Sequence, residues 1–150
     1  GLSKFYLKGF TGRVGATWMT KEDRLTDIEN QRTYLESVFD KELLNRDLTN
    51  KKVYALGFSQ GVATICRWHT LTTNQVDKLI VWAGEIPSEF YTAENSKNLS
   101  IHFIYGKEDP FISFLKVEQQ KERCLAQNIA FELIAFEGKH ELNSAILLNL

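Results

Sequence analysis

The stretch Val53–Ala63 constrains the fold of this chain more than any other. A short apolar run leads directly into Gly-Phe-Ser-Gln-Gly at positions 57–61, and a helix-compatible segment follows. Glycines two residues before and two after a serine permit a very sharp turn from strand to helix, because side chains there would collide. The strain of such a turn falls on the serine, whose Oγ is pushed outward. We therefore predict that Ser59 is an exposed nucleophile.

Apolar runs along the rest of the chain predict an α/β fold. The predicted strands are 53–57, 79–83, 101–105 and 131–136, and the predicted helices are 60–72, 113–127 and a last one within 142–150. An unbroken apolar run such as 79–83 is typical of a strand that is buried on both faces of a parallel sheet. The alternation of strands and helices predicts a mostly parallel sheet flanked by helices.

The first fifty residues give weaker signals. Residues 4–10 are compatible with a short strand, residues 11–20 with a loop, and a long amphipathic helix is expected from Thr20. Its apolar stripe consists of Leu25, Ile28, Leu35, Val38, Phe39 and Leu43. Trp18 and Met19 are large apolar residues in the predicted loop. They would either line a substrate pocket for an acyl group or anchor the loop on the core.

Length and composition favour one ordinary globular domain over residues 1–150. The formal net charge of −1 favours neither a nucleic-acid partner nor an anionic membrane surface. No apolar run is long enough to span a bilayer.

Two cysteines without a short spacing indicate neither a zinc site nor a disulfide framework, and no cluster has metal-ligand spacing. We expect a cytoplasmic setting, although the chain does not begin with Met and an upstream signal stays open. The oligomeric state is not indicated.

Three residue types that act together in catalysis each follow a predicted strand. Ser59, Asp109 and His140 come directly after the first, third and fourth strands, at one edge of a parallel sheet. His140 would take the Oγ proton of Ser59 and later return it to the leaving group. Asp109 would orient the imidazole, and Glu108 is an alternative acid for that role. The backbone N–H of Gln60 would be one donor of an oxyanion hole.

The other two histidines are interpreted as structural. His69 falls within the helix after the serine, and His102 alternates with apolar residues inside a strand. Neither follows the carboxyl end of a strand, where ligands bind in such sheets.

These motifs resemble those of the phospholipase/carboxylesterase family, which includes the acyl-protein thioesterases. The resemblance rests on Gly57–Gly61, on Gly106-x-x-Asp109-Pro-x-Ile112, on Glu137-Gly-Lys-His140 and on Trp82–Pro87. It implies an α/β-hydrolase fold and the order Ser-Asp-His of that fold. It also implies hydrolysis of a small carboxylic ester or thioester through an acyl-enzyme, with no cofactor. Tyr105 stands where the family usually has His, and Val62 where many members have Gly.

The front of the chain departs from this family. No His-Gly-Gly-type segment is present, so the early strands and the loop with a second oxyanion donor are expected to be absent. The domain would then be N-terminally incomplete, and strand 53–57 would present an unpaired edge unless something else covers it. With only Gln60 as a donor, the alternative function is a catalytically silent hydrolase-fold domain that binds a partner or serves as a scaffold.

Overall fold

The computed structural model describes residues 3–6, 14–44, 46–97 and 99–150, with the backbone alone at 3–6 and 44. The chain divides into two compact units, Gly1–Asn50 and Lys51–Leu150. The single domain expected over residues 1–150 stays a prediction.

The first unit contains a hairpin-like strand pair and one long helix. Strands β1 (Ser3–Tyr6) and β2 (Val14–Thr17) pair antiparallel, and helix α1 (Arg24–Phe39) continues into a π-helical turn at Asp40–Leu44. Strand β2 lies inside the segment that was predicted as a loop. Residues 7–10 of the first predicted strand lie outside the described residues.

The buried side of α1 matches the predicted apolar stripe only in part. Phe39 of that stripe is buried, but Leu25 is 77% exposed, and the polar residues Asp27 and Gln31 are buried. The backbone N–H and the hydroxyl of Thr20 each donate to Asp27 Oδ2 over 2.6 Å, and Gln31 Nε2 donates to the carbonyl of Trp18. Polar side chains thus tie the preceding segment to the helix, and apolar periodicity alone could not reveal this.

The second unit is built on a four-stranded parallel sheet. Its elements are β3 (Tyr54–Phe58), α2 (Gln60–Leu71), β4 (Lys78–Trp82), α3 (Ser88–Thr92), a 3-10 turn (Glu94–Ser96), β5 (Ser100–Gly106), α4 (Phe114–Ala126), β6 (Ala130–Phe136) and α5 (Ser144–Leu147). The strand order is β3-β4-β5-β6. The predicted α/β architecture is confirmed, with strand boundaries displaced by at most one residue.

Both faces of this sheet are packed. The alternating positions Leu79, Val81, Ile101 and Phe103 have no exposed surface. Because parallel crossovers are right-handed, the steady progression from β3 to β6 puts α2 and α4 on one face. On the other face, a cluster that includes Trp82 and Phe136 packs against Ile146 and Leu150 in and after α5.

Strand β3 lies at the edge of the sheet. Among the strands that the structure describes, it pairs with β4 alone, and Tyr54 and Leu56 are 41% and 36% exposed. This edge position was expected from the missing early strands.

The predicted apolar stripe of α4 is correct only in part: the sequence indicates Phe114, Val117, Lys121 and Leu125 on or beside it. Val117 is buried, together with Gln120 and Cys124, whereas Phe114 and Leu125 are mostly exposed. Gln120 is held in the interior because its Oε1 accepts a hydrogen bond from the Ile86 amide over 2.7 Å. This long-range hydrogen bond accounts for a polar residue on the buried face of the helix.

Candidate active site

Ser59 sits on the sharp turn between β3 and α2. Its backbone adopts φ 54° and ψ −120°, a region that non-glycine residues rarely occupy and that costs about 1–3 kcal/mol. A methyl group at Gly57 would lie 2.5 Å from the carbonyl oxygen of Gly61, and one at Gly84 would overlap the carbonyl oxygen of Ser59. The Ser59 amide donates to the carbonyl of Trp82 over 2.8 Å. The glycines therefore remove the collisions while the sheet holds the strained serine in place.

Asp109 lies in the loop after β5 and is held by the backbone around it. Its Oδ1 accepts hydrogen bonds from the amides of Phe111 (2.7 Å) and Ile112 (3.1 Å), and its side chain is fully buried. Burial alone would raise the pKa of this carboxyl. The hydrogen bonds from His140 and from the two amides outweigh burial and hold the Asp109 pKa below its ordinary value. Asp109 is therefore an ionised acceptor at neutral pH.

His140 lies in the loop after β6, between two aromatic rings. The centroid of its imidazole is 4.8 Å from that of Phe58 and 4.9 Å from that of Phe111. The loop is anchored because Trp82 Nε1 donates to the carbonyl of Glu141 over 2.9 Å. Gly106 permits this approach, since a methyl group there would overlap the backbone of the same loop. These contacts fix the plane of the imidazole.

The three side chains form one hydrogen-bonded series. His140 Nδ1 lies 2.7 Å from Asp109 Oδ2, and His140 Nε2 lies 2.9 Å from Ser59 Oγ. Because an ionised carboxylate can only accept, Nδ1 carries the proton toward Asp109. Nε2 of the neutral ring is then the acceptor for the Ser59 hydroxyl. This arrangement can withdraw a proton from the serine when its oxygen attacks an electrophile.

A cavity of about 360 Å³ opens over Ser59 Oγ and His140. Its other lining residues come from the first turn of α2, the loop after β4 and the segment 111–116: they are Gln60, Ala63, Ala83, Gly84, Glu85, Phe111, Ile112 and Lys116. The lining is mixed, with apolar side chains on one part and the ion pair of Lys116 and Glu85 on another. Such a cavity accepts a small substrate that carries an apolar group.

Gln60 is the first residue of α2 and lines this cavity. Backbone N–H groups in the first turn of a helix point toward its N-terminal end, where the helix dipole favours negative charge. The residue after the serine is therefore located where an oxyanion donor is needed. Its role in that function stays a prediction.

Trp18, Met19 and Glu108 are the remaining candidate residues from the sequence. Trp18 and Met19 belong to the first unit, where the Trp18 ring lies 6.4 Å from that of Tyr34 and the Met19 carbonyl accepts from Thr17 Oγ1. Their proposed place in a substrate pocket stays a prediction. Glu108 is exposed, so the structure joins Asp109, and not Glu108, to His140.

The remaining histidines lie elsewhere. His69 is buried, and its Nε2 lies 3.0 Å from the carbonyl oxygen of Asn95. The imidazole of His102 lies 3.3 Å from the Glu132 carboxylate on the neighbouring strand. Neither histidine lines the cavity over Ser59.

Sequence reasoning missed several residues of the site. Phe58 and Phe111 flank the imidazole, and both occupy variable positions inside motifs that were recognised. The aromatic character of these two positions was the only signal that could have indicated them. The ion pair of Glu85 and Lys116 joins residues 31 positions apart, and no local pattern reveals it.

Among the described residues, no group of three or more His, Cys, Asp or Glu side chains could hold a metal ion. Within the same residues, no helix has the length and apolar character needed to cross a membrane.

A family model described as phospholipase/carboxylesterase matches residues 15–149. The chain belongs to the phospholipase/carboxylesterase family. The match includes the three hydrogen-bonded side chains, residues 15–50 of the first unit and all but the last residue of the second unit, and it confirms the resemblance identified from the motifs. A comparison with curated protein sequences found no match.

Solved structures of esterases and thioesterases share the fold. SOBER1 from Arabidopsis thaliana superimposes with a TM-score of 0.68 at 18% identity, over 93% of this chain and 72% of that one. A Bacillus cereus carboxylesterase gives 0.62 at 15% identity, over 89% and 62% of the two chains. Acyl-protein thioesterase 2 from Zea mays gives 0.60 at 16% identity, over 93% and 71%. These similarities confirm the α/β-hydrolase fold.

Proposed function

We propose that this protein hydrolyses carboxylic esters or thioesters of small acyl groups through an acyl-enzyme on Ser59. The observation that carries the proposal is the hydrogen-bonded series of Asp109, His140 and Ser59 at the floor of an accessible cavity. The family to which the chain belongs agrees with this reaction class.

The first half of the reaction forms the acyl-enzyme. Ser59 Oγ attacks the carbonyl carbon of the substrate while His140 Nε2 takes the hydroxyl proton. Negative charge develops on the carbonyl oxygen, and the backbone N–H of Gln60 donates to it. The bond to the leaving alcohol or thiol then breaks, and the leaving group takes the proton from Nε2. Asp109 stabilises the imidazolium that exists between these two transfers.

The second half uses water in place of the serine. His140 removes a proton from a water molecule as the water oxygen attacks the acyl carbonyl, and the Ser59 oxygen leaves with that proton. The products are a carboxylic acid and the regenerated hydroxyl of Ser59. Each proton that His140 accepts is thus returned within the same half-reaction, so the cycle consumes only ester and water.

The test compares wild type with Ser59→Ala on p-nitrophenyl esters and thioesters of graded acyl length. We expect hydrolysis by wild type and a loss of about 10³-fold or more in the variant, in line with the removal of other serine nucleophiles. Equal rates for the two proteins would remove Ser59 from the mechanism. If folded wild type hydrolysed none of the substrates, a silent binding or scaffold domain would be the better description.

The cellular setting, the partners and the contacts of the acyl group are also proposals. A cytoplasmic setting and a small-molecule substrate, without a nucleic-acid partner, agree with the near-neutral charge of the chain. Trp18 and Met19 remain proposed contacts for the acyl group.

A further inference from the structure

A second cavity lies next to the cavity over Ser59, within the unit Lys51–Leu150. It measures about 160 Å³ and is lined by Glu85, Ile86, Lys116, Gln119, Gln120 and Arg123. Glu85 and Lys116 line both cavities, so their ion pair, 2.8 Å between Lys116 Nζ and Glu85 Oε1, forms a shared wall. The volume is several times the roughly 30 Å³ that one water occupies in the liquid. A small functional group of a ligand therefore fits.

One face of α4 supplies most of this second cavity. Lys116, Gln119, Gln120 and Arg123 are spaced by three and four residues, which places them in a single row along the helix. Every one of them carries a hydrogen-bond donor, and two carry a positive charge. The acidic residues of α4, Glu118 and Glu122, are absent from the lining.

Gln120 contributes a donor that the described protein atoms leave without an acceptor. The residue is only 5% exposed, and its Oε1 is committed to the Ile86 amide. Its Nε2 is buried and has no hydrogen-bond partner among the described residues. A buried amide N–H without an acceptor is unfavourable. Because Gln120 also lines the second cavity, an acceptor group bound there next to the amide would remove this penalty.

Arg123 adds a charge that no described carboxylate neutralises. Its guanidinium lies 5.9 Å from the centroid of the Tyr91 ring, a contact that holds the planar group. A guanidinium matches the two oxygens of a carboxylate or phosphate. Glu85 is the one carboxylate at the cavity, and Lys116 offsets its charge. Since that pair is about half exposed, its mutual attraction is weak and Lys116 remains able to bind another anion.

We propose that the second cavity binds a terminal oxyanion, a carboxylate or a phosphate, at the non-reacting end of the substrate. The preferred substrates are then esters or thioesters that carry a negative group away from the scissile bond. This proposal rests on the proposed function for its place in catalysis, but the binding of an anion by Arg123 and Gln120 does not depend on turnover.

The first test measures preference among p-nitrophenyl esters of equal chain length that end in a methyl ester, a carboxylate or a phosphate. We expect the ratio of kcat/KM for a charged ester to that for the neutral ester to fall about tenfold or more in Arg123→Gln, as for the loss of a charge-assisted hydrogen bond. The same ratio rises in Glu85→Gln, because a repulsive charge is removed. A gain of preference cannot result from misfolding. The carboxylate and phosphate substrates show which oxyanion is preferred.

One further variant provides a control, and another tests Gln120 directly. Lys121→Gln removes a positive charge from α4 at a residue that pairs with Glu118 outside the second cavity, and it leaves the ratio unchanged. Gln120→Glu keeps an acceptor for the Ile86 amide and replaces the donor by an anionic oxygen, so the ratio falls. If Gln120→Glu and Arg123→Gln both kept the wild-type ratio, Gln120 would be a purely structural support and the proposal would be overturned.

The second test needs no turnover. Inorganic phosphate is titrated into ¹⁵N-labelled Ser59→Ala protein, and the resonances of the Gln120 side-chain amide and of Arg123 Nε are followed. We expect a saturable shift that persists with Lys121→Gln added and is lost with Arg123→Gln added. Without a saturable shift, the cavity holds only water and the proposal is wrong. A saturable shift in a protein that hydrolyses no ester would retain the subsite and reject the proposed function.

Discussion

The two ends of helix α2 place a histidine in two different environments. At the start of the helix, His140 lies between an ionised carboxylate and the hydroxyl of Ser59, and its side chain is 19% exposed. At the other end, His69 is buried and its Nε2 donates to the neutral carbonyl of Asn95. The Asn95 side chain in turn donates to carbonyls of the last turn, including that of Thr72.

The difference shows that the partners of an imidazole decide its function. A carbonyl fixes a tautomer but does not neutralise an imidazolium, and burial lowers the pKa of His69 although the Asn95 hydrogen bond opposes this. A carboxylate such as Asp109 can orient the imidazole and stabilise the imidazolium that exists during a proton transfer, and the cavity over Ser59 lies beside this ring. His140 is therefore suited to move a proton, and His69 to join the end of α2 to the loop around Asn95.

The comparison is tested most strongly by making the same substitution at both histidines. We expect His140→Gln to lower kcat for p-nitrophenyl esters by about 10⁴-fold or more, as for other members of a serine triad. His69→Gln can still donate to the Asn95 carbonyl, and its kcat should stay within about threefold of wild type, since substitutions outside the reacting groups remove no catalytic interaction. Comparable losses in the two variants would contradict the division of roles.

A second pair of substitutions addresses the acid that orients His140. Asp109→Asn keeps the shape of the side chain but removes the charge and disturbs the tautomer, so kcat should fall by about 10³–10⁴-fold. Glu108→Gln changes an exposed neighbour and should have little effect on kcat. If Glu108→Gln were the more damaging change, the assignment of the acid would have to be reversed.

A third substitution tests the strained turn at the start of α2. In Gly57→Ala, the added methyl group meets the backbone carbonyl of Gly61 at 2.5 Å, and that carbonyl belongs to the first turn of α2. We expect the free energy of unfolding to fall by about 1–3 kcal/mol, as for other overpacked interiors. Urea denaturation monitored by circular dichroism measures this. An unchanged urea midpoint would mean that the turn accommodates the added methyl group without a loss of stability.

The smallest expected effect is a pH dependence of the free energy of unfolding that arises from His69, at the end of α2. Since the pKa of His69 is lowered from 6.5 in the folded protein, the unfolded chain binds a proton first as the pH falls. The stabilisation by neutral His69 is complete above pH 6.5 and is lost as the pH falls toward the folded pKa. His102, whose pKa burial also lowers, adds a contribution of the same sign. Unfolding free energies from pH 8 to pH 5 should therefore decline less steeply in His69→Gln than in wild type, and equal slopes would contradict this.

The sequence predicted those parts of the molecule that depend on local patterns. The four strands of the second unit have dense apolar runs, and each site residue follows one of them, so topology alone brought Ser59, Asp109 and His140 together. Long-range hydrogen bonds determined what was missed. Gln120 is buried because it binds the Ile86 amide, and Asp27 because it binds Thr20. Polar residues in such positions interrupt the apolar periodicity from which helix faces are predicted.

The central claim is that Ser59 is a nucleophile activated by His140, and covalent labelling tests it most directly. Folded protein is treated with a fluorophosphonate, and the intact mass and the labelled peptide are determined by mass spectrometry. The account predicts one adduct on Ser59 in wild type, no adduct in Ser59→Ala, and much slower labelling in His140→Gln. An unlabelled wild-type protein, or an adduct on another residue, would contradict it.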